Sequence, residues 1–299
     1  MMKKRIVIMF QRVSWRFYAV LILIVALISG VTVLFFRPGH LLFDDIPESD
    51  GYLSQSTVLP GVTNLSSLTF NRDDGMLYAT LNSPPTLLRL SRDGDITGSQ
   101  PLDFLRDAES VEYIADGQYA LADEANSLIY IVSIDADMAV TILKKFHAGM
   151  FFSKKKNRGY EGLAWDEQNN RLYLGREKGS ERLYSLEYHP DTQIISGVNV
   201  HNGLNQRLHL QDISGLDFDG NNLLILSDES GVLLRTQPGA EQDTVISVMH
   251  LKKGCHGLEQ DIPQPEGVAT DDEGNIYVVS EPDGFWKFTA VKNVIRAEE

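Results

Sequence analysis

One feature limits what this chain can fold into more than any other: a segment of related sequence recurs five times. The units begin at Ser66 (SSLTFNRDDGMLYATLNSPPTLLRL), Glu109 (ESVEYIADGQYALADEANSLIYIVSI), Glu161 (EGLAWDEQNNRLYLGREKGSERLYSLEY), Ser214 (SGLDFDGNNLLILSDESGVLLRT) and Glu266 (EGVATDDEGNIYVVSEPDGFWKF). Successive starts lie 43, 52, 53 and 52 residues apart, close to the roughly 40 to 50 residues of a propeller blade. Within each unit a short apolar strand meets an Asp/Asn/Gly turn, then a second strand, a loop and a third strand. A fourth, less regular strand follows turns built around Asp93-Gly94, Pro190-Asp191 and Pro238-Gly239. Each unit therefore reads as a four-stranded meander, and the set as an all-β, five-bladed β-propeller.

The count of strands also says how the ring closes. The fifth unit stops after its third strand, whereas residues 52–59, YLSQSTVL, form a strand with no unit of its own. That N-terminal strand is expected to complete the last blade, which hides edges otherwise open to pairing. The propeller then occupies residues 51–299. A six-bladed ring would need a further pair of inner strands that the sequence does not contain.

Ahead of the repeats, residues 17–36 (FYAVLILIVALISGVTVLFF) carry no charge. Twenty such residues as a helix match a hydrocarbon core about 30 Å thick. A cleaved signal peptide is the alternative, but the apolar run is long and VTVLFFRPG offers no small-x-small cleavage site. One N-terminal transmembrane helix is thus expected, between a basic cytoplasmic tail at 1–16 and a linker at 37–50. Five cations precede it and Arg37 alone follows before the first acid, a bias that places the N-terminus in the cytoplasm and the propeller in the periplasm, anchored to the cell inner membrane. All 41 acidic residues lie beyond position 43 and six of the 27 Lys and Arg lie before it. So acidic a domain repels nucleic acid, which is excluded as a partner.

In an antiparallel meander the start of the first strand and the end of the second share one edge of the sheet. The first group is Ser66, Glu109, Glu161, Ser214 and Glu266; the second includes Asn82, Asp123, Glu124, Arg176, Glu177, Asp228, Glu229 and Glu281. The first strand is innermost in a propeller, so three glutamates should face one another around the channel mouth. Converging carboxylates repel, and a hard divalent cation relieves them. Calcium, which takes six to eight oxygens in flexible geometry, suits such a site better than magnesium or zinc. The expected metal ligands are Glu109, Glu161 and Glu266, with Asp123, Asp228 or Glu229 assisting. The alternative is that the glutamates accept backbone N–H groups and simply join blades. The turn Asp271-Asp272-Glu273-Gly274-Asn275 lacks the spacing of a calcium loop and reads as an ordinary strand connection.

Long connections follow the second, third and fourth units, and loops on one rim of a rigid scaffold commonly carry binding. One contains Lys154, Lys155, Lys156 and Arg158, which with Arg176 could hold an anion; the alternative is a solvated loop. His147, His201, His209, His250 and His256 fall on or near these connections, without a partner that sequence can name. No Gly-x-Ser-x-Gly elbow, HExxH or phosphate loop is present.

A single N-terminal span followed by EGLAWD and NNRLYLGRE, SGLDFDGNNLLILSDES and PEGVATDDEGNIYVVSEP resembles the SdiA-regulated, YjiK-like family over residues 50–290. The resemblance implies a five-bladed propeller with a calcium site and a distant kinship to NHL-repeat propellers, among them metal-dependent enzymes. Ser66 and Ser214 depart from Glu in two units, so a ring of ligands is incomplete. The function expected is a calcium-binding periplasmic propeller that takes a ligand or protein on its long-loop face. The rival is a metal-dependent hydrolase of phosphate esters.

Overall fold

Short strands separated by Asp, Asn and Gly turns can satisfy their backbone groups only by pairing with the next strand along, and that is what they do. The computed structural model describes residues 43, 46–147, 159–179, 181–207, 210–238 and 244–291. The basic tail, the expected span 17–36, Lys154, Lys155, Lys156, Arg158 and His209 lie outside the described residues. Among the described residues no helix is long and apolar enough to cross a membrane. The chain divides into two compact units, Met1–Asp44 and Asp45–Glu299, and the strands belong to the second.

Blade 1 consists of β2 (Leu65–Asn71), β3 (Met76–Asn82), β4 (Pro85–Leu90) and β5 (Ile96–Pro101). Blade 2 consists of β6 (Ala108–Ala115), β7 (Gln118–Asp123), β8 (Leu128–Ile134) and β9 (Val140–His147). Blade 3 has β10 (Tyr160–Asp166), β11 (Arg171–Arg176), β12 (Leu183–His189) and β13 (Ile194–Val200), followed by a short helix α1 (Asn202–Arg207). Blade 4 has β14 (Gly215–Phe218), β15 (Leu223–Ser227), β16 (Val232–Gln237) and β17 (Thr244–His250). Blade 5 takes β18 (Pro265–Thr270), β19 (Ile276–Ser280) and β20 (Gly284–Ala290) from the end of the chain and β1 (Tyr52–Val58) from its beginning. The antiparallel register of β1 runs from Tyr52 opposite Ala290 to Val58 opposite Gly284.

The first strands of the blades touch in cyclic order, β2 to β6 to β10 to β14 to β18 and back to β2, so the ring is closed. Burial falls from the centre outward. β2 is buried along its whole length, whereas β5 and β1 are mostly open to solvent. The core lies between blades: Leu68, Phe70 and Leu77 of blade 1 pack with Ala269, Tyr277 and Phe285 of blade 5. Trp165 and Tyr188 of blade 3 pack with Ile114, Ile129 and Ile131 of blade 2. Each such large apolar side chain contributes about 1.5–3 kcal/mol by leaving water.

The inner strands approach so closely that glycine follows the first residue in three units. A Cβ on Gly267 would lie 2.6 Å from the Leu68 nitrogen, and one on Gly162 2.9 Å from the Leu216 nitrogen. The EG and SG pairs at the start of these three repeats therefore record backbone against backbone.

Residues expected as linker end in a docked stretch. Ser49 N–H donates to the Val248 carbonyl (2.6 Å) and Val248 N–H to that of Pro47 (2.9 Å), adding a short parallel bridge to the edge of β17. The Glu48 carboxylate accepts from His250 Nδ1 (2.7 Å), from the His250 backbone N–H (3.2 Å) and from His256 Nε2 (3.2 Å). Burial pushes Glu48 up, but these donors outweigh it and hold the acid below its ordinary range.

Candidate metal centre

Four of the five inner strands carry a bulge at the same place. Tyr160 and Gly162 oppose the consecutive residues Arg176 and Gly175, leaving Glu161 as the extra residue. Glu109 is the extra residue between Ala108 and Ser110, Glu266 between Pro265 and Gly267, and Ser66 between Leu65 and Ser67. A bulge re-aims a side chain without ending the strand. In blade 4 the equivalent Ser214 precedes β14 and its hydroxyl donates to the Pro265 carbonyl (2.7 Å).

The three glutamates converge as the repeat predicts. Burial, followed by the negative charge of Glu109, Glu124, Glu266 and Glu177, pushes Glu161 up to about 9. Glu266 is pushed up to about 9 by burial and by Asp228, Glu281, Glu109 and Asp212. Glu109 rises to about 8 through burial and Asp107, against a hydrogen bond from Asn82 Nδ2 (3.2 Å). Carboxylates that affect one another this strongly share one electrostatic site.

Within this acid rim, the carboxylate oxygens of Asp107, Glu109 and Glu124 come within 4.8 Å of one another, close enough to hold one cation. Their backbones are tied by Glu124 N–H donating to the Asp107 carbonyl (3.0 Å). Burial and Asp107 raise Glu124 as well, opposed by an N–H from Gly159. All donors in the group are carboxylate oxygens, a hard set that fits calcium better than zinc.

The other expected helpers are placed differently. Asp123 is buried, and its carboxylate accepts from the Arg106 N–H (3.3 Å) and from Asn126 Nδ2 (2.8 Å). Asp228 stands by Asp212 on the opposite arc, raised by burial and by Asp212. Glu229 pairs with Lys178 (3.2 Å), which also holds Glu177 (2.6 Å). Arg176 Nη1 donates to the Tyr184 hydroxyl (3.3 Å). His201 Nε2 meets Ser185 Oγ (2.9 Å), and His147 is exposed.

Four acids of the channel escaped the sequence reading, Asp212 of the rim among them. Asp107 stands two residues before the repeat start. Glu112 and Asp217 form a second layer deeper in the channel, three residues beyond Glu109 and Ser214. Glu112 accepts from Thr69 Oγ1 (2.8 Å) and the Trp165 N–H (2.8 Å), joining three blades; Asp217 accepts from Thr270 Oγ1 (2.6 Å), joining two. Burial raises both, and Asp217 raises Glu112 further. The available signal was a lone acid inside an apolar strand, SVEYI and GLDF.

A closed ring of five blades with glutamates on inner-strand bulges coincides with a family match over residues 50–289. The chain belongs to the SdiA-regulated family. Among solved structures, this SdiA-regulated propeller is similar to the glutaminyl cyclase of Myxococcus xanthus, at a TM-score of 0.56 and 16% identity over 80% of this chain and 96% of that one. It also matches a luciferin-regenerating enzyme at a TM-score of 0.49 and 12% identity over 80% and 95% of the two chains. At such identities the first likeness speaks to fold alone.

Proposed function

We propose that this member of the SdiA-regulated family is a calcium-binding propeller whose acid-rimmed mouth takes a neutral or cationic ligand, or a protein segment of that character. The single observation behind this reading is the convergence of Asp107, Glu109 and Glu124 with Glu161 and Glu266. Left to protons, Glu109, Glu161 and Glu266 stay neutral far above their ordinary range; a divalent cation allows them to ionise and supplies the positive charge the rim lacks. Asp107, Glu109 and Glu124 would hold the ion, with Glu161 facing it. When bound, calcium offers open coordination positions to an oxygen donor of the ligand.

Binding is preferred to hydrolysis of phosphate esters because Glu281, Asp228 and Asp212 place negative charge beside Glu266 on the rest of the rim, which would repel a phosphate. Residues 17–36 are proposed to anchor the chain in the inner membrane with the propeller in the periplasm, on the strength of their uncharged run and the cations before it.

Calorimetric titration of calcium into the EDTA-stripped chain tests the reading. One site is expected in the wild type, lost in Glu109→Gln and weakened in Glu161→Gln. A wild type that takes up no calcium, with an unchanged melting temperature, would make the glutamates inter-blade fasteners and overturn the proposal.

A further inference from the structure

Position by position, the residue two places before each repeat start is polar in four units: Asn64, Asp107, Asp212 and Gln264. The fifth is Gly159, in the blade that follows Glu124. Asp107 belongs to the carboxylate group itself, so the missing side chain in the next blade is a departure from pattern beside the site.

Gly159 is held on both sides. Its N–H donates to Glu124 Oε1 (3.1 Å), and its carbonyl accepts from the Glu177 N–H (3.4 Å). Glu124 and Glu177 directly follow β7 and β11, the second strands of blades 2 and 3, so this one residue links the two blades at the mouth. Its backbone does not occupy the left-handed region, so conformation does not demand glycine. Space does. A Cβ would lie 2.0 Å from Glu124 Cγ, 2.1 Å from Oε1 and 2.2 Å from Cδ. Every one of those atoms belongs to a flexible side chain, so a methyl group would turn Glu124 aside and leave the strands in place.

We propose that Gly159 is a positioning residue for the cation site: its bare Cα makes room for Glu124, and its N–H aims that carboxylate at Asp107 and Glu109. Buttressing of this kind is general for metal ligands, whose outer hydrogen bonds set their orientation. The inference rests on the calcium reading above and adds to it a residue that contributes no ligand atom of its own.

The test is a double-mutant cycle on the purified full-length chain, read as the calcium dissociation constant by calorimetry and the melting temperature in EDTA. Gly159→Ala is expected to weaken calcium about 10- to 100-fold, the usual cost of losing an outer-shell partner, while the EDTA melting temperature holds. In a Glu124→Gln background the same alanine is expected to add no further weakening, because the residue it acts through is already disabled. Equal binding by Gly159→Ala and wild type overturns the inference and leaves the calcium reading standing. So does an equal loss in both backgrounds. If Glu124→Gln abolishes binding, Gly159→Ala decides alone: weakened binding with an unchanged EDTA melting temperature supports positioning, and a parallel loss of both makes Gly159 structural. No binding by the wild type overturns the reading and the inference together.

Discussion

The acid rim makes the stability of the metal-free protein fall as pH rises, in the opposite sense to a protein held by salt bridges. Glu161 and Glu266 are raised to about 9 and Glu109 to about 8, from an ordinary 4.5. Between those limits the folded chain holds protons that the unfolded chain has released. Stability is therefore full below pH 4.5 and declines up to about 9. For one such glutamate at pH 7.5 the difference is about 4 kcal/mol, three pH units at 1.36 kcal/mol each. The repulsions are shared, so the three do not add, and about 4–8 kcal/mol in all is the working range. That is large beside a net stability of about 5–15 kcal/mol. Between pH 5.5 and 8 one such glutamate loses about 3.4 kcal/mol, so at about 2–4 °C per kcal/mol for a domain of this size EDTA-treated protein should melt at least about 7 °C lower at pH 8 than at pH 5.5. Saturating calcium should remove most of that slope by letting the carboxylates ionise against the ion. Thermal melts across pH 5 to 9, with EDTA and with calcium, check this. A metal-free melting temperature that stays level or climbs with pH would refute the reasoning.

Four further outcomes follow from the geometry. Glu161→Gln should raise the melting temperature in EDTA at pH 8, since it removes a strained acid, while lowering calcium affinity, so the two readouts move in opposite directions. Asp217→Asn should flatten the slope that persists in calcium, because Asp217 and Glu112 lie below the rim and are raised by burial; an unchanged slope would assign it elsewhere. Gly267→Ala drives a Cβ to 2.6 Å from the Leu68 nitrogen, and urea melts should show a loss of about 1–3 kcal/mol. Glu48→Ala should lower the unfolding free energy from urea melts at pH 7 by about 1–3 kcal/mol for the donors it strands at His250 and His256. That loss should shrink as pH falls through the depressed value of Glu48, where the wild-type acid takes up its own proton.

The fold was legible because its signals are periodic. Repeats starting at Ser66, Glu109, Glu161, Ser214 and Glu266 give the blades, and a fifth unit short of its last strand points to β1 as the piece that closes the ring. The convergence of Glu109, Glu161 and Glu266 was legible for the same reason, since equivalent positions in a closed ring meet at its axis. What repetition cannot show is a bulge, which depends on pairing with the neighbouring strand, or the shift in facing that follows it. Glu112 and Asp217 occupy one level of the channel along with Thr69, Ala164 and Ala269, so only two units of five carry the acid and no repeat announces it. Asp107 has Asp212 as its counterpart, but Asp212 is occupied by the N–H groups of Asp228 (3.1 Å) and Glu229 (3.2 Å). Equal sequence positions thus take different roles once the turns around them differ. Asp123 shows the converse: adjacent to Glu124 in sequence, it faces its own turn and caps it.

The central claim is that the channel mouth holds a divalent cation, and a crystal structure grown in calcium, with an anomalous difference map, examines it most directly. The expected result is one peak bonded to carboxylate oxygens of Asp107, Glu109 and Glu124 at about 2.3–2.6 Å, with Glu161 turned toward it. A map without a peak at the mouth under saturating calcium, or with the ion bound elsewhere, would contradict the account.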